Sequence, residues 1–327
     1  MAGLRRPPAG PIAALPPMKG RLEFGLVTTS QEWLAGELGA LDASGFDALY
    51  VVDHPAFSNP EPWTWLAYAA AQTSRVRLGT HVTGAPFHHP TALARQVATV
   101  DRLSGGRAVL GIGAAYEHAD FEPFGFPMLP FAERLAALAE TLIILDSLWT
   151  QETTTFSGRH FELKGGASFG PKPVQKPRPP IVVGLNRHGE ALRIAAEHAD
   201  GINTWQLGAA QVASLRPHVE RACEGSGRDP ASLQLTSDLL LARGADRAGA
   251  ERLAGTLRET ARSWGRSPSV TDWDASGVLH GDADGMAEQV LRFSEIGVTE
   301  LGVAIHHIDE LHWFSESVIS PLRARQP

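Results

Sequence analysis

Several apolar segments of the sequence end in histidines and carboxylates whose types suit proton transfer. Asp53-His54, His81, Glu117-His118 and His306-His307 lie at or shortly after the ends of four such segments. Histidine changes its charge near neutral pH, and a neighbouring carboxylate can orient its ring. These positions are therefore candidates for general acid-base catalysis.

The same residues also have structural explanations. Asp53-His54-Pro55 fits a loop turn whose aspartate caps a helix, and His88 and His89 stand just before Pro90, where capping is common. His306-His307 fits the lining of a barrel mouth. A metal site is disfavoured, because no acidic cluster completes a set of ligands around these histidines. Catalytic and structural interpretations both stay open at this point.

Two glycine-containing turns favour a ligand that approaches the backbone closely. Gly111-x-Gly113 permits such an approach, although a pair of glycines is a weak motif. The segment Gly184-Leu185-Asn186-Arg187-His188-Gly189 leads into a predicted helix, Glu190–His198. Free N–H groups at this helix start, with Arg187 and His188 beside them, suit a phosphate, and an ordinary strand-to-helix turn is the alternative.

The elements that position these residues are short apolar strands alternating with amphipathic helices. This alternation is typical of parallel strands that are buried on both faces and joined by crossover helices. The eight predicted strands are Leu22–Val27, Ala48–Asp53, Val76–His81, Ala108–Gly113, Ile181–Gly184, Gly201–Asn203, Leu233–Ala242 and Glu300–Ile305. The sequence thus predicts an α/β fold, a (β/α)8 TIM barrel, with the reacting groups at the carboxyl ends of its strands.

The predicted helices carry the expected stop signals at glycines and polar turns. They are Gln31–Ser44, Glu61–Thr73, Thr91–Leu103, Pro130–Trp149, Glu190–His198 and Asp284–Ile296. The longest one carries a leucine stripe, formed by Leu135, Leu138, Leu142, Leu145 and Leu148. Such a stripe packs either on the outer face of the barrel or in a dimer interface.

Two segments interrupt the alternation of strands and helices. Thr153–Pro180 is a hairpin-like insertion between strands four and five, followed by prolines that cannot sit in a central strand. Arg243–Asp284 is an irregular insertion before strand eight, with one predicted helix at Asp246–Trp264. We expect a flexible leader at residues 1–20 and a single barrel domain at 21–327.

Composition limits the classes of partner. The chain has 327 residues, a formal net charge of −7 and no dense run of Lys or Arg, which argues against nucleic acid or an anionic membrane as its partner. A single cysteine, Cys223, excludes an internal disulfide and a multi-cysteine metal site. No apolar segment approaches the roughly 20 residues of a membrane helix. The expectation is a cytoplasmic protein that acts on a small molecule.

Four stretches of the chain together carry a family resemblance. They are Tyr50–His54, Leu78–Thr83, Leu103–Arg107 continuing into Gly111–Gly125, and Ala195–Gly201. In this order and at barrel spacing they resemble the luciferase-like (bacterial luciferase-type) monooxygenase superfamily, particularly its F420-dependent oxidoreductase branch. The resemblance covers nearly the whole chain. It implies a TIM barrel that binds the deazaflavin coenzyme F420, or alternatively FMN, across its mouth, and it implies a homodimer.

The resemblance also assigns residues to this cofactor. It places the phosphate at the loop after strand five and the pair Asp53-His54 beside the reactive ring. The peptide matching His81-Val82 is often a non-proline cis bond that pushes against the ring face. The implied cofactor contacts are Asp53, His81, Val82, Thr83, Gly113, Glu117, Gly184, Leu185, Asn186, Arg187 and His188.

The chemistry implied by the resemblance is hydride transfer at C5 of the deazaflavin. This needs a group that moves a proton to or from the substrate heteroatom, and His54 suits that role. Asp53 is predicted to orient His54 or to contact the ring, and Glu117 and His118 are second candidates. Ala114 stands where several F420-dependent dehydrogenases have a catalytic glutamate, so their sugar-phosphate chemistry is not expected. Glu117 replaces a frequent asparagine, and Leu185 replaces the second glycine of a common Gly-Gly pair.

Two other functions stay open. An FMN-dependent two-component monooxygenase would take reduced flavin from a partner reductase and use oxygen, and a non-catalytic protein would only retain a flavin or deazaflavin. A Rossmann-type NAD enzyme is disfavoured, because no strand is followed by Gly-x-Gly-x-x-Gly with an acidic residue about 20 positions on. Aromatic residues near the mouth favour an apolar or planar substrate; they are Phe57, Trp63, Trp65, Phe87, Phe124 and Trp205.

Overall fold

The computed structural model describes residues 21–29, 31–57, 60–243 and 277–324. The strands are β1 (Glu23–Thr28), β2 (Ala48–Val51), β3 (Arg77–Thr80), β4 (Thr83–Gly84), β5 (Ala108–Gly113), β6 (Thr153–Ser157), β7 (Glu162–Ser168), β8 (Ile181–Gly184), β9 (Gly201–Trp205), β10 (Gln234–Arg243), β11 (Val278–Gly281) and β12 (Glu300–Ala304). The helices are α1 (Leu38–Ala43), α2 (Pro62–Gln72), α3 (Pro90–Leu103), α4 (Phe131–Thr150), α5 (Glu190–His198), α6 (Ala209–Gly225), α7 (Ala283–Glu295), α8 (Ile308–Phe314) and α9 (Ser320–Ala324).

Eight of these strands close into a parallel barrel. Around the barrel they follow the order β1, β2, β3, β5, β8, β9, β10, β12, and β12 pairs with β1 again. β4 continues the line of β3 along β5, and β11 pairs with the end of β10. The predicted (β/α)8 TIM barrel is confirmed, and each of the eight predicted strands agrees with its observed bounds to within two residues.

Burial on both faces explains why the strands are continuous apolar segments. In β2, Leu49 and Val51 belong to the large core between sheet and helices, whereas Ala48 and Tyr50 belong to a smaller cluster inside the barrel. Successive side chains of a strand point to opposite faces, so each strand must supply both cores. Every residue of β5 is buried for this reason.

Capping residues determine where several helices begin. The Glu61 carboxylate accepts N–H bonds from Trp63 and Thr64 at the start of α2. Five of the six predicted helices are confirmed with small shifts. The prediction of Gln31–Ser44 is wrong in its first half, where turns precede the short α1. Gly36 lies in that half, and glycine lowers helix stability by about 1 kcal/mol relative to alanine.

The leucine stripe of α4 packs on the chain's own barrel. Its five leucines are between 0% and 6% exposed. The Trp149 indole N–H near the end of the same helix donates to the carbonyl of Ala94 in α3, at 3.1 Å. The alternative that this stripe forms a dimer interface is therefore wrong, and a homodimer through another surface stays a prediction.

The insertion between the fourth and fifth barrel strands is an antiparallel hairpin, as predicted. β6 pairs with β7, and the Glu140 carboxylate of α4 accepts the backbone N–H groups of Arg159, His160 and Phe161 in the connecting loop. Most of the second insertion, including the predicted helix Asp246–Trp264, lies outside the described residues, as does the predicted leader. The division into leader and single domain stays a prediction. No described helix combines the length and apolar character needed to cross a bilayer.

Arg107 ties the amino-terminal side of the barrel together. It follows Ser104-Gly105-Gly106 and precedes β5. Its guanidinium donates to the carbonyls of Ala70, Thr73 and Val76, where α2 ends and β3 begins. These bonds satisfy carbonyl groups that a helix end leaves without partners. The stretch Leu103–Arg107, which is part of the family resemblance, therefore stabilises the fold on the side of the barrel opposite the predicted site.

Candidate functional site at the carboxyl mouth of the barrel

An extra residue interrupts the third barrel strand at the mouth. β3 pairs Gly79 with Val109, and β4 pairs Thr83 with Ile112. Four steps along one strand thus face three along its neighbour, which defines a β-bulge. The bulge contains the peptide His81-Val82, which is cis, as the resemblance implied.

Two glycines make room for the bulge. A Cβ atom on Gly113 would lie 3.0 Å from Cγ2 of Val82, and one on Gly184 would lie 2.9 Å from its Cγ1. The half-buried Val82 thus packs on the ends of β5 and β8. Three of the predicted cofactor residues come together here as a small apolar surface, called the Val82 floor below.

His54 forms a dyad with Asp120. His54 Nδ1 lies 2.6 Å from Asp120 Oδ2, and Asp120 Oδ1 accepts the backbone N–H of Ala56 at 2.8 Å. The Asp120 side chain is 1% exposed and that of His54 is 19% exposed. An ionised carboxylate can only accept, so Nδ1 carries the proton. Nε2 is then the nitrogen that can take up or release a proton at the mouth.

Aromatic rings surround this imidazole. Phe57 stacks on His54 with 4.5 Å between ring centroids, and the Tyr116 ring stands edge-on at 6.0 Å. Phe57 and Trp205 also pack against the cluster inside the barrel. The dyad therefore lies at the boundary between the barrel interior and the mouth, in surroundings that suit an apolar or planar ligand.

Asp53 does not orient His54, so that alternative is wrong, whereas a contact of Asp53 with the cofactor ring stays a prediction. Its Oδ2 accepts the backbone N–H of Gly84 at 3.0 Å and lies 2.8 Å from Nε2 of His88. After the end of β2 the two neighbouring side chains diverge, one toward β4 and the other toward Asp120. Asp53 thereby fastens the bulge to the end of β2. The His88 side chain, 12% exposed, is its partner and does not cap α3.

Glu117 and His118 stand at the start of the turn that carries Asp120. The Glu117 carboxylate accepts the N–H of Ala119 at 3.4 Å, which caps a short 3-10 helix, His118–Asp120. His118 is exposed. The catalytic role predicted for Glu117 stays a prediction, and in this structure its carboxylate has a capping role.

Two other histidines of the mouth serve as helix caps. His89 accepts the N–H of Thr91 at the start of α3, and His307 accepts that of Asp309 at the start of α8. His306 Nδ1 lies 3.5 Å from the hydroxyl of Thr29, next to β1. The capping role considered for His89 is thus observed.

The loop after β8 divides its predicted cofactor residues into two groups. The Asn186 amide donates to the carbonyl of Trp205 at 2.7 Å and accepts its N–H at 2.8 Å, so its polar atoms connect β8 to β9. Leu185 is buried. Arg187 and His188 are exposed immediately before α5. Of this loop, the exposed pair and the helix start are the groups that can meet an anion.

The His81 and Thr83 side chains point into the protein. The Thr83 hydroxyl donates to Thr80 at 2.9 Å and accepts from the Trp63 indole at 3.1 Å. The His81 ring stacks on Tyr50 at 3.5 Å, inside the barrel. Any contact of these two residues with a ligand at the mouth is therefore through their backbone.

Two carboxylates that pair with histidines of the barrel were not predicted from the sequence. Asp120 lies within the stretch Gly111–Gly125 without standing out from it, and Asp238, which lies 3.0 Å from His81, falls inside a predicted strand. The sequence position of Asp238 could have identified it, because a carboxylate in the middle of a buried strand requires a partner. The sequence position of Asp120 could not, because the choice between Asp120 and Glu117 as the partner of His54 depends on the fold of a single turn.

Comparisons with known proteins identify a family and several relatives of the chain. The family model of the luciferase-like monooxygenases matches residues 37–300. The chain is 27% identical to the F420-dependent glucose-6-phosphate dehydrogenase of Beutenbergia cavernae, over 87% of this chain and 91% of that protein.

Solved structures share the fold. An F420-dependent secondary alcohol dehydrogenase in complex with an F420-acetone adduct has a TM-score of 0.78 at 18% identity, covering 93% of this chain and 99% of that one. A monooxygenase from Streptomyces bottropensis has a TM-score of 0.76 at 24% identity, covering 92% and 99%.

Proposed function

Because the chain belongs to the luciferase-like monooxygenase family, we propose that it is an F420-dependent oxidoreductase. It transfers a hydride to or from a small organic substrate that is apolar or planar. The observation that carries this proposal is the His54–Asp120 dyad, which leaves Nε2 of His54 as the proton-transfer atom at the mouth. Relatives that are named as F420-dependent dehydrogenases support the choice of cofactor.

The residues of the mouth fit a flat cofactor with a polar edge. The Val82 floor is apolar, and Gly113 and Gly184 leave the space in which the Val82 side chain packs, so a flat ring can lie on it. Gln31, which follows β1 at the same rim, is fully buried, and neither polar atom of its amide has a partner among the described residues. A buried amide of this kind costs about 1–3 kcal/mol unless a ligand satisfies it.

The anionic end of the cofactor belongs at the start of α5. Arg187 and His188 are exposed there, and the first N–H groups of a helix attract negative charge. Glu190 at the same helix start pairs with Arg193, which also pairs with Glu197. A single loop, the one after β8, connects the Val82 floor to this helix start.

When it is bound, the deazaflavin supplies a carbon, C5, that gives or accepts the hydride. His54 carries out the proton transfer that accompanies this step. With its Nδ1–H held by Asp120, His54 accepts a proton at Nε2 from a substrate hydroxyl during oxidation, and it returns the proton in the reverse direction. Phe57 covers one face of the imidazole and keeps it oriented.

Glucose 6-phosphate, for which the Beutenbergia cavernae relative is named, is not the substrate we propose for this chain. Ala114, directly after β5, offers no carboxylate, and it is 8% exposed. Carbonyl compounds, imines and enones, with the corresponding alcohols and amines, are the classes that one acid/base group and an aromatic mouth can serve.

A binding titration tests this proposal. Cofactor-free protein is titrated with F420 and with FMN, each oxidised and reduced, and the fluorescence of its eight tryptophans is followed. We expect micromolar binding of F420 and much weaker binding of FMN. Gly184→Ala should weaken F420 binding, because the new Cβ would lie 2.9 Å from Val82, whereas Gly225→Ala, with open space around it, is the matched control.

The other outcomes have definite meanings. Preference for reduced FMN, with oxygen consumption, would replace this proposal by a two-component monooxygenase with a partner reductase. Retention of F420 without turnover, unaffected by His54→Asn, would indicate a non-catalytic binding protein. Binding of neither cofactor would overturn the proposal.

A further inference from the structure

A histidine and an aspartate form a fully buried pair inside the barrel. His81 Nδ1 lies 3.1 Å from Asp238 Oδ1 and 3.0 Å from Oδ2, and each side chain is 1% exposed. Tyr50 stacks on one face of the imidazole, with 7° between the ring planes. The His81 ring is thus held between a strand across the barrel and the neighbouring strand β2.

The barrel interior leaves space for this pair at Gly302 of β12. A Cβ there would lie 2.0 Å from Asp238 Oδ1, so the position tolerates no larger residue while Asp238 keeps its place. Gly111 of β5 also lies beside the pair, but a Cβ on it would first meet the Thr80 carbonyl, at 1.9 Å, and Cδ2 of His81 only at 2.9 Å. The packing of β10 against β12 is therefore adapted to one hydrogen-bonded pair.

Stability alone does not explain such an arrangement. A buried carboxylate loses its hydration, and apolar residues of similar volume often replace a buried ion pair without loss of stability. His81 Nε2 adds to the cost, because it is buried without a partner among the described residues. The position of the imidazole must therefore matter for something other than the core.

His81 is directly bonded to Val82, whose side chain forms the floor of the mouth. Asp238 itself lies within β10, which is paired with β9 on one side and β12 on the other, so it is a rigid support. Rigid elements hold a site in place more accurately than loops do. A contact between Asp238 and His81 thereby fixes the peptide that ends at Val82.

We propose that Asp238 is a positioning residue that, through His81, holds the Val82 floor at the height a flat cofactor ring requires. This inference rests on the proposed function, since it assumes that the cofactor lies on this floor. It assigns to the pair no contact with substrate and no proton transfer.

Three variants test the inference. Asp238→Leu removes the acceptor, Asp238→Asn keeps an oxygen that can accept from His81 Nδ1, and the double variant His81→Leu/Asp238→Leu replaces the pair by apolar groups. Asp101→Asn is the control, because Asp101 is a fully buried carboxylate that accepts from Val174 and Gln175 on the opposite side of the barrel. The dissociation constant for F420 and the melting temperature are measured for each folded protein.

We expect Asp238→Leu to weaken F420 binding about ten- to hundredfold, the size of effect that a misplaced contact surface produces. The double variant should regain the melting temperature but not the affinity, and Asp238→Asn should bind within about threefold of the wild type. Asp101→Asn should lower the melting temperature with unchanged affinity.

Two results would overturn the inference. One is wild-type affinity in Asp238→Leu or in the double variant, which would reduce the pair to core packing. The other is an Asp238→Asn protein as weak as Asp238→Leu, because its oxygen can still accept from His81. If the wild-type protein itself does not bind F420, the proposed function fails first, and that result is distinguishable from both.

Discussion

Replacing Asp120 by asparagine should move the proton of the His54 ring to the wrong nitrogen. The backbone N–H of Ala56 needs the acceptor that now lies 2.8 Å from it, so the amide oxygen of the variant stays at the position of Oδ1. The amide NH2 group then takes the position of Oδ2, 2.6 Å from Nδ1 of His54. Because this group can only donate, Nδ1 must accept, and the ring proton moves to Nε2.

The size of the effect follows from what a positioned base contributes. General acid-base catalysis by a side chain accelerates a reaction about 10²- to 10⁴-fold, and a neutral His54 with its proton on Nε2 loses the basic nitrogen at the mouth. We expect the rate of hydride transfer in Asp120→Asn to fall by that factor. Exchange of a charged for a neutral acceptor should lower the free energy of unfolding by about 1–2 kcal/mol.

The assay is stopped-flow absorbance of F420 under anaerobic conditions, in a single turnover with the best substrate from a panel of alcohols and carbonyl compounds. Asp309→Asn is the matched control, since Asp309 pairs with His307 at 3.4 Å on the surface, with the two side chains 79% and 63% exposed. The control should react at the wild-type rate. A folded, F420-saturated Asp120→Asn protein that reacts within tenfold of the wild type would refute the reasoning.

Further predictions concern the fold around the site. Leu142→Ala, at a fully buried position of α4, should lower the free energy of unfolding in urea by about 2–5 kcal/mol. Its molar mass by light scattering should not change, and a change would contradict packing of this helix on its own barrel. Arg107→Lys should lower the free energy of unfolding by at least about 2 kcal/mol, because hydrogen bonds to three carbonyls are lost. The affinity for F420 should not change. Weaker F420 binding would show that this side of the barrel affects the mouth. Burial raises the pKa of Asp42, but backbone N–H donors at residues 74–76 outweigh it and lower the pKa from 3.8 to about 2. Asp42 therefore stabilises the fold above about pH 4 and loses this contribution as the pH falls toward 2. The difference in unfolding free energy between wild type and Asp42→Asn should shrink over that range. A difference that stays constant would argue against these hydrogen bonds. Cys223 is buried, and burial raises the pKa of its thiol; it should resist a disulfide reagent in the native state, and Cys223→Ala should keep full activity.

The barrel could be predicted from the sequence because parallel strands buried on both faces leave an unmistakable apolar pattern. β5 and β8 were predicted with their observed bounds for this reason. The first half of Gln31–Ser44 was mistaken for helix, since its apolar residues follow a helical period whether or not a helix forms. Periodicity reports which side chains are buried, and Leu34 is indeed fully buried in a turn.

The partners of the site residues could not be predicted in the same way. Asp53 and His54 are neighbours in sequence and end in different hydrogen bonds, whereas His54 and Asp120 are 66 residues apart and form the dyad. Which carboxylate meets His54 depends on the path of one short turn after β5. His54 was a candidate because it follows a barrel strand at its carboxyl end, where the reacting groups of such barrels lie, and its catalytic role stays a prediction.

A crystal structure of the protein with F420 tests the central claim most directly. We predict the deazaflavin ring on the Val82 floor, with Nε2 of His54 facing the substrate side of C5 and the phosphate at the start of α5. A ring bound elsewhere, or a His54 whose Nε2 faces away from C5, would contradict the claim.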